Sequence, residues 1–309
     1  MRVLTSIEEL TEVPGPIVLA IGVFDGVHLG HRAVIQRALS DAAAVSGTAV
    51  VVTFDPHPIR VLRPESAPRL LTSTPHKLRL IRDLGAAYLL VVPFDHAFAS
   101  TPPAEFIRAL ASACRPLREI CVGHQWSFGR NRAGNLALLE QLGDELAFSE
   151  VGVPAVEVDG EIVSSTLIRR AVEAGHLDRA ARLLGRPYTI LGTVVEGDRL
   201  GRTLGFPTAN LSAHNEQFPP NGVYAVEARH GVETLVGVAN IGVRPTIAQA
   251  SGERVLEVHL LGFAGDIYGE ELELTFRGRL REERKFAGVE ELRAQIARDV
   301  AAARDMLAS

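Results

Sequence analysis

With 309 residues, 47% of them hydrophobic and 22% charged, the chain is long enough for two domains that each bury a core, and its composition is not that of a disordered protein. A formal net charge of −5 argues against the broad basic footprint that binds a nucleic-acid backbone, but leaves room for a nucleotide-sized anion held by a few arginines and backbone N–H groups. Cys114 and Cys121 are too few for a disulfide framework and read as inert buried thiols. The two lysines, Lys77 and Lys285, are followed by Leu78 and Phe286, so the sequence holds no Gly-Lys-Ser/Thr phosphate loop.

In chain order, the N-terminal stretch interrupts its apolar residues with Glu8, Glu9 and Glu12, unlike a secretory leader, and no run is long enough to cross a membrane; a cytoplasmic chain is expected. Short β-branched runs follow at 17–24, 48–54, 87–94, 118–123 and 154–158, alternating with helical patterns near 31–46, 74–84, 102–113 and 134–143. That alternation predicts an α/β, Rossmann-like domain, a parallel sheet with helices on both faces. Two short helices at 164–175 and 176–185, each closed by a glycine, lead to a domain boundary at Gly185–Pro187, giving domains 1–185 and 186–309. Beyond it, "YTILGTVVEG", "GVYAVEARH", "ETLVGVANIGV", "RVLEVHLLGF" and "ELELTFRGRL" are strand-like runs broken by Gly, Asn, Asp and Pro, the pattern of an antiparallel β-barrel or sandwich. Val289 to Leu307 carries Leu292, Ile296, Val300 and Met306 near helical spacing and predicts a terminal helix packed on that domain.

The stretch "GVFDGVHLGHR" (22–32) sets two histidines where a buried strand turns into a helix. Gly22, Gly26 and Gly30 allow close backbone approach, and ligands of parallel sheets bind beyond the strand carboxyl ends, at helix N-termini. A bare pair of histidines three apart is most simply a satisfied turn; a zinc pair lacks an obvious third ligand; at this position two imidazoles also suit phosphate oxygens during an in-line displacement. Farther on, "SSTLIRR" (164–170) offers a Ser-rich helix start with a planar cation, Arg169, and "EGDRLGRTLGFPTAN" (196–210) is a glycine-rich loop able to fold N–H groups around phosphates. Glu257 and His259 share one face of "RVLEVHL" with Val255.

The long form G-x-F-D-G-x-H-x-G-H resembles the adenylyltransferase module of bacterial riboflavin kinase/FAD synthetases, a resemblance continued at "TFDPHP" (53–58), "VGHQWSFGRNRAGN" (122–135) and "SSTLIRR". "GFPTAN", "NGVYAV", "VANIGVRPT", "DIYGE" and "RLREERKF" extend it through a riboflavin kinase half to nearly the whole chain. The resemblance implies a bifunctional enzyme that uses ATP to make FMN from riboflavin and FAD from FMN. His28, His31 and Arg169 would serve adenylyl transfer, with Gly22, Phe24, Asp25, Gly30, Ser164, Ser165 and Thr166 binding nucleotide. In the kinase half it implies Glu257 as catalytic base, Gly197, Gly201, Gly205 and Pro207 around nucleotide, and Thr208 and Asn210 as ligands of Mg2+. Gln125, Arg281 and Phe286 would meet the flavin, and in "GHQWSFG" the longer, neutral Gln125 stands where the family usually carries Asp or Asn, with Trp126 in its Phe position. That departure sustains one alternative, a riboflavin kinase whose adenylyltransferase half is impaired and acts as a flavin or nucleotide sensor. A class I aminoacyl-tRNA synthetase shares His-x-Gly-His but needs closely spaced lysines, and another His-x-Gly-His transferase leaves the second domain unexplained. The expected partners are riboflavin, FMN and ATP, with no nucleic acid or membrane and a monomeric or weakly self-associating chain.

Overall fold

The computed structural model of the chain describes residues 1–197, 205–244 and 253–308. It divides into two compact units, Met1–Arg69 with Thr74–Ser165, and Leu70–Ser73 with Thr166–Ser309.

The first unit is built on strands β1 (Arg2–Leu4), β2 (Ile17–Ile21), β3 (Thr48–Asp55), β4 (Tyr88–Pro93), β5 (Leu117–Gly123) and β6 (Ser149–Val153), joined in the order β1-β4-β3-β2-β5-β6. Every pair in this sheet is parallel. Helices α1 (Leu29–Ala44), α2 (Pro58–Leu62), α3 (Thr74–Asp83), α4 (His96–Ala99), α5 (Pro103–Ala113) and α6 (Leu136–Leu146) fill the connections. Both faces of the sheet are covered, which is why β2 is apolar throughout rather than alternating. Ile17, Leu19 and Ile21 pack with Phe106, Ile107 and Leu110 of α5 and Leu139 and Leu142 of α6. Val18 and Ala20, one step out of phase, pack with Val34, Ile35 and Ala38 of α1 and Ile81 of α3.

Two strand expectations need correction. The run 17–24 ends as a strand at Ile21, because Phe24 takes the left-handed conformation at φ 53° and turns the chain off the sheet. The sixth parallel strand is "SEVGV" (Ser149–Val153), not 154–158: Pro154 has no N–H to give a ladder, and Glu157–Val158 (β7) pairs only with Glu161–Ile162 (β8) in a small hairpin. Helix α7 (Ser165–Glu173) and α8 (Leu177–Leu184) follow, and Gly175 and Gly185, at φ 77° and 69°, end them in the left-handed conformation that glycine tolerates.

The second unit closes a six-stranded antiparallel barrel, which settles the barrel-or-sandwich expectation. Strands β9 (Thr189–Val195), β10 (Ala209–Ala213), β11 (Gly222–His230), β12 (Glu233–Arg244), β13 (Glu253–Leu260) and β14 (Glu271–Arg281) run in the order β10-β13-β12-β11-β14-β9, and β9 pairs with β10 to close the ring. Tyr224 and Phe276, both buried, meet edge to face at 5.4 Å, and the Tyr224 hydroxyl donates to the Pro220 carbonyl at 2.6 Å. The terminal helix, Val289–Ala308, lays Val300, Ala303 and Leu307 on Val223, Ala225, Val238 and Leu280. Of the expected stripe, Leu292, Ile296 and Val300 are part-buried, whereas Met306 is 42% exposed and the stripe continues instead through Asp299, Ala303 and Leu307. Asp299 is tolerated there because it takes Arg281 in a forked pair, Nε to Oδ1 at 3.0 Å and Nη2 to Oδ2 at 2.9 Å.

Removing one partner of that pair leaves a desolvated charge. Asp299→Ala is expected to lower stability by about 3 kcal/mol, seen as a lower thermal midpoint. Cys114 and Cys121 are both free and buried; burial pushes the Cys114 thiol up to about 12 and raises that of Cys121 as well. Iodoacetamide at pH 8 is therefore expected to leave the native chain unlabelled and to label both cysteines after denaturation.

Candidate active sites

In the parallel sheet the chain leaves β2 toward β3 on one side, while β5 flanks β2 on the other, so the carboxyl ends of β2 and β5 mark the topological switch point where such sheets bind ligands. "GVFDGVHLGH" leaves β2 at this end. The loop passes through Phe24 and Val27, both non-glycine residues at positive φ (53° and 40°), with Gly26 at 86° between them. His28 then caps the 16-residue helix α1, its Nδ1 accepting from the His31 N–H at 3.3 Å. The His28 and His31 rings stack with centroids 3.5 Å apart, and the Phe24 ring meets His31 edge-on at 5.3 Å. Both imidazoles thus stand at the positive end of a helix dipole, beside N–H groups suited to an anion. Among the described residues, no third cysteine, histidine or carboxylate joins them in a cluster of metal-ligand dimensions.

The predicted neighbours fall into place unevenly. A Cβ on Gly22 would lie 2.7 Å from the Phe24 ring, and one on Gly30 would lie 3.3 Å from the His28 ring, so both glycines exist to let rings close over backbone. Asp25 is buried, and its carbonyl accepts from the Ser165 hydroxyl at 2.9 Å, which ties the second motif to the first. Ser164 precedes α7; Thr166, exposed, and the part-buried Arg169 lie farther along that helix, in the portion that belongs to the second unit. Gln125 is exposed just past the end of β5, while Trp126 is part of the packing, stacked on Phe128 at 4.2 Å. The sequence reading missed Lys77 of α3, buried, whose ammonium donates to the Val23 carbonyl and to the Thr53 hydroxyl, both at 3.1 Å. Its rarity in an arginine-rich chain was the one available signal.

In the barrel, Pro207 and Thr208 line a cavity of about 530 Å³ with Val194, Leu260, Phe263 and Ile267, a volume in the range of small-molecule sites. Asn210, Glu196 and Arg254 line a second cavity of about 330 Å³. Register decides what faces what: Asn210 on β10 pairs directly with Glu257 on β13, and Glu257 pairs in turn with Asn240 on β12. Along β13 the alternation is as expected, with Val255, Glu257 and His259 partly exposed and Leu256, Val258 and Leu260 buried. His259 is spent on the neighbouring segment, its Nδ1 lying 2.7 Å from the Pro207 carbonyl and its ring edge-on to Phe206. A Cβ at Gly197 would lie 2.0 Å from Asn210 Nδ2, so any side chain there would have to displace the Asn210 carboxamide. Gly205 carries φ 84°, and Gly201 lies outside the described residues. Asn210 lies across from Glu257 on paired strands while Thr208 lines the other cavity; neutral oxygens of these types, completed by phosphate oxygens, are the hard donors that Mg2+ takes. Arg281 is committed to Asp299, and the Phe286 ring lies under both Arg281 and Arg284, at 5.5 and 4.8 Å. Asn240, Asp266 and Tyr268 stand at these cavities or beside Glu257 inside quoted motifs, but only strand pairing and loop closure give them a place.

The FAD synthetase family model matches residues 10–167 and the riboflavin kinase family model matches residues 184–307. The bifunctional riboflavin kinase/FMN adenylyltransferase of Escherichia coli (strain K12) is 40% identical over 307 residues, covering 99% of this chain and 97% of that protein. The protein of the same description from Bacillus subtilis (strain 168) is 39% identical over 285 residues, 91% of this chain and 90% of its own. Among solved structures, one described as a macrolide-efflux protein from Streptococcus pneumoniae is 29% identical with a TM-score of 0.83, covering 98% of this chain and 99% of that one. The chain therefore belongs to the bifunctional riboflavin kinase/FMN adenylyltransferase family, its N-terminal residues matching the FAD synthetase part and its C-terminal residues the riboflavin kinase part.

Proposed function

We propose that residues 186–309 phosphorylate riboflavin and residues 1–185 adenylylate the FMN so formed, with the residues named above in the following roles. One observation supports two sites rather than one: the stacked His28–His31 pair and the Asn210–Glu257 pair stand in different compact units, each with its own backbone cradle.

In the kinase half, Glu257 orients the 5′-hydroxyl of riboflavin and accepts its proton as the oxygen attacks the γ-phosphorus of ATP; the bond to the β-phosphate oxygen breaks and ADP leaves. Thr208 and Asn210 hold Mg2+, which when bound neutralises phosphate charge. Gly197, Gly201, Gly205 and Pro207 shape the nucleotide side, and His259 steadies Pro207 through its carbonyl. In the adenylyltransferase half, an FMN phosphate oxygen attacks the α-phosphorus of a second ATP and pyrophosphate leaves. No proton need move; His28 and His31 donate hydrogen bonds to charge that builds in the transition state, while Gly22, Phe24, Asp25 and Gly30 shape the loop. Ser164, Ser165, Thr166 and Arg169 hold the departing phosphates. Gln125, Arg281 and Phe286 are assigned to flavin. Our reading is of a cytoplasmic enzyme; among the described residues no helix is long and apolar enough to cross a membrane.

Incubation of the purified chain with riboflavin, ATP and Mg2+, followed by chromatography, should yield FMN and then FAD. His28→Ala is expected to cut FAD formation from FMN by about 10² to 10³-fold while leaving FMN formation intact. Glu257→Gln should do the reverse, slowing FMN formation by about 10² to 10⁴-fold with FAD formation from supplied FMN unchanged. Loss of both activities in either variant would sink the assignment of separate sites.

A further inference from the structure

A lysine ammonium beneath a parallel sheet end is costly, and Lys77 is only 5% exposed. Its donors go to three groups at the carboxyl ends of two strands: the Val23 carbonyl at 3.1 Å, the Thr53 hydroxyl at 3.1 Å and, at the longer distance of 3.5 Å, the Phe54 carbonyl. The Thr53 hydroxyl itself donates to the Val23 carbonyl at 3.0 Å, so two donors grip the same oxygen. That oxygen belongs to the peptide plane entering Phe24, one side of the φ torsion that stands at 53°. Positive φ at bulky residues such as Phe24 and Val27 costs on the order of 1–3 kcal/mol each and persists only where surrounding contacts impose it. The chain of contacts then runs outward, from Phe24, whose ring is 1% exposed, edge-on to His31, and from His31 by stacking to His28.

We propose that Lys77 is a positioning residue for adenylyl transfer, holding the Val23–Phe24 peptide so that Phe24 fixes the stacked His28–His31 pair at the head of α1. This rests on the reading of His28 and His31 as the transition-state donors. The charged groups acting on Lys77 are Asp25, in the same loop, and Asp55, at the end of β3; both favour its proton, yet burial outweighs them and draws its pKa down from 10.5 to about 8. The clamp therefore loses its charge around pH 8, being essentially fully protonated only about one unit below that and neutral about one unit above it.

The test uses the whole chain, because its kinase activity is an internal control. Lys77→Met keeps the length and removes the charge. It is expected to lower kcat for FAD formation about 10- to 100-fold, with the KM values for ATP and FMN changed less than about threefold, since the reacting groups are misplaced rather than the substrates lost. FMN formation should stay within about twofold of wild type, and the melting temperature should not fall, because the desolvation penalty of the ammonium disappears with it below pH 8. Wild-type FAD formation should decline above about pH 8; Lys77→Met should lack that limb, and Lys77→Arg should recover part of the rate and carry the decline to higher pH. Wild-type kcat in Lys77→Met alongside an inactive His28→Ala would overturn the role of Lys77 alone. Loss of both activities together with a lower melting temperature would mark Lys77 as scaffold and also overturn it. Undiminished FAD formation in His28→Ala would instead overturn the underlying site.

Discussion

Between the buried strand Ile17–Ile21 and the helix Leu29–Ala44, the chain has to stay at the carboxyl end of the sheet while turning through Phe24 and Val27 at positive φ. Neither residue favours that conformation, so the turn exists because its surroundings impose it. Phe24 is buried over Gly22, where no Cβ intervenes; Ser165 holds the Asp25 carbonyl; His28 closes the turn by accepting the His31 N–H. The first site is thus a strained loop over-determined by contacts from β3, α3 and the start of α7, and its imidazoles inherit their geometry from that backbone.

The barrel solves its problem differently. Its candidate residues sit on strand faces, where register rather than loop strain sets position: the β10–β13 pairing puts Asn210 directly across from Glu257, and the β9–β10 pairing that closes the ring brings Val195 to the other side of Asn210. A one-residue slip of β10 would send Asn210 to the opposite face and separate it from Glu257. Gly197 belongs to the same constraint, since the Asn210 carboxamide occupies the volume a side chain would take.

Arg281 shows how one residue can serve packing while sitting in a functional motif. The sequence neighbourhood "RLREERKF" points toward flavin, yet the guanidinium is gripped by Asp299 of the terminal helix and lies over Phe286. Asp299 is buried on the inner side of the terminal helix with this cation as its partner across to the barrel.

Much was legible in the chain because it depends on local chemistry. Uninterrupted β-branched runs require burial on both faces, alternating runs require one wet face, and glycines mark helix ends; these suffice for a parallel sheet followed by an antiparallel unit. The motifs around His28, Ser165, Thr208 and Glu257 stood out only through the family resemblance they carry, since residue by residue they read as a satisfied turn, a helix cap, a glycine-rich turn and a solvated strand position. The edge strand was misread because "SEVGV" is weakly apolar and "PAVEV" strongly so, and a proline's missing N–H matters only once a partner strand is in position. Lys77 carries no motif of its own; its meaning comes from a carbonyl 54 residues earlier in the chain. Periodicity and residue chemistry by themselves determined the class of each half and most of its elements, whereas long-range pairing, burial and helix placement alone decided the edge strand and which side chains meet, because these depend on contacts between residues far apart in the chain.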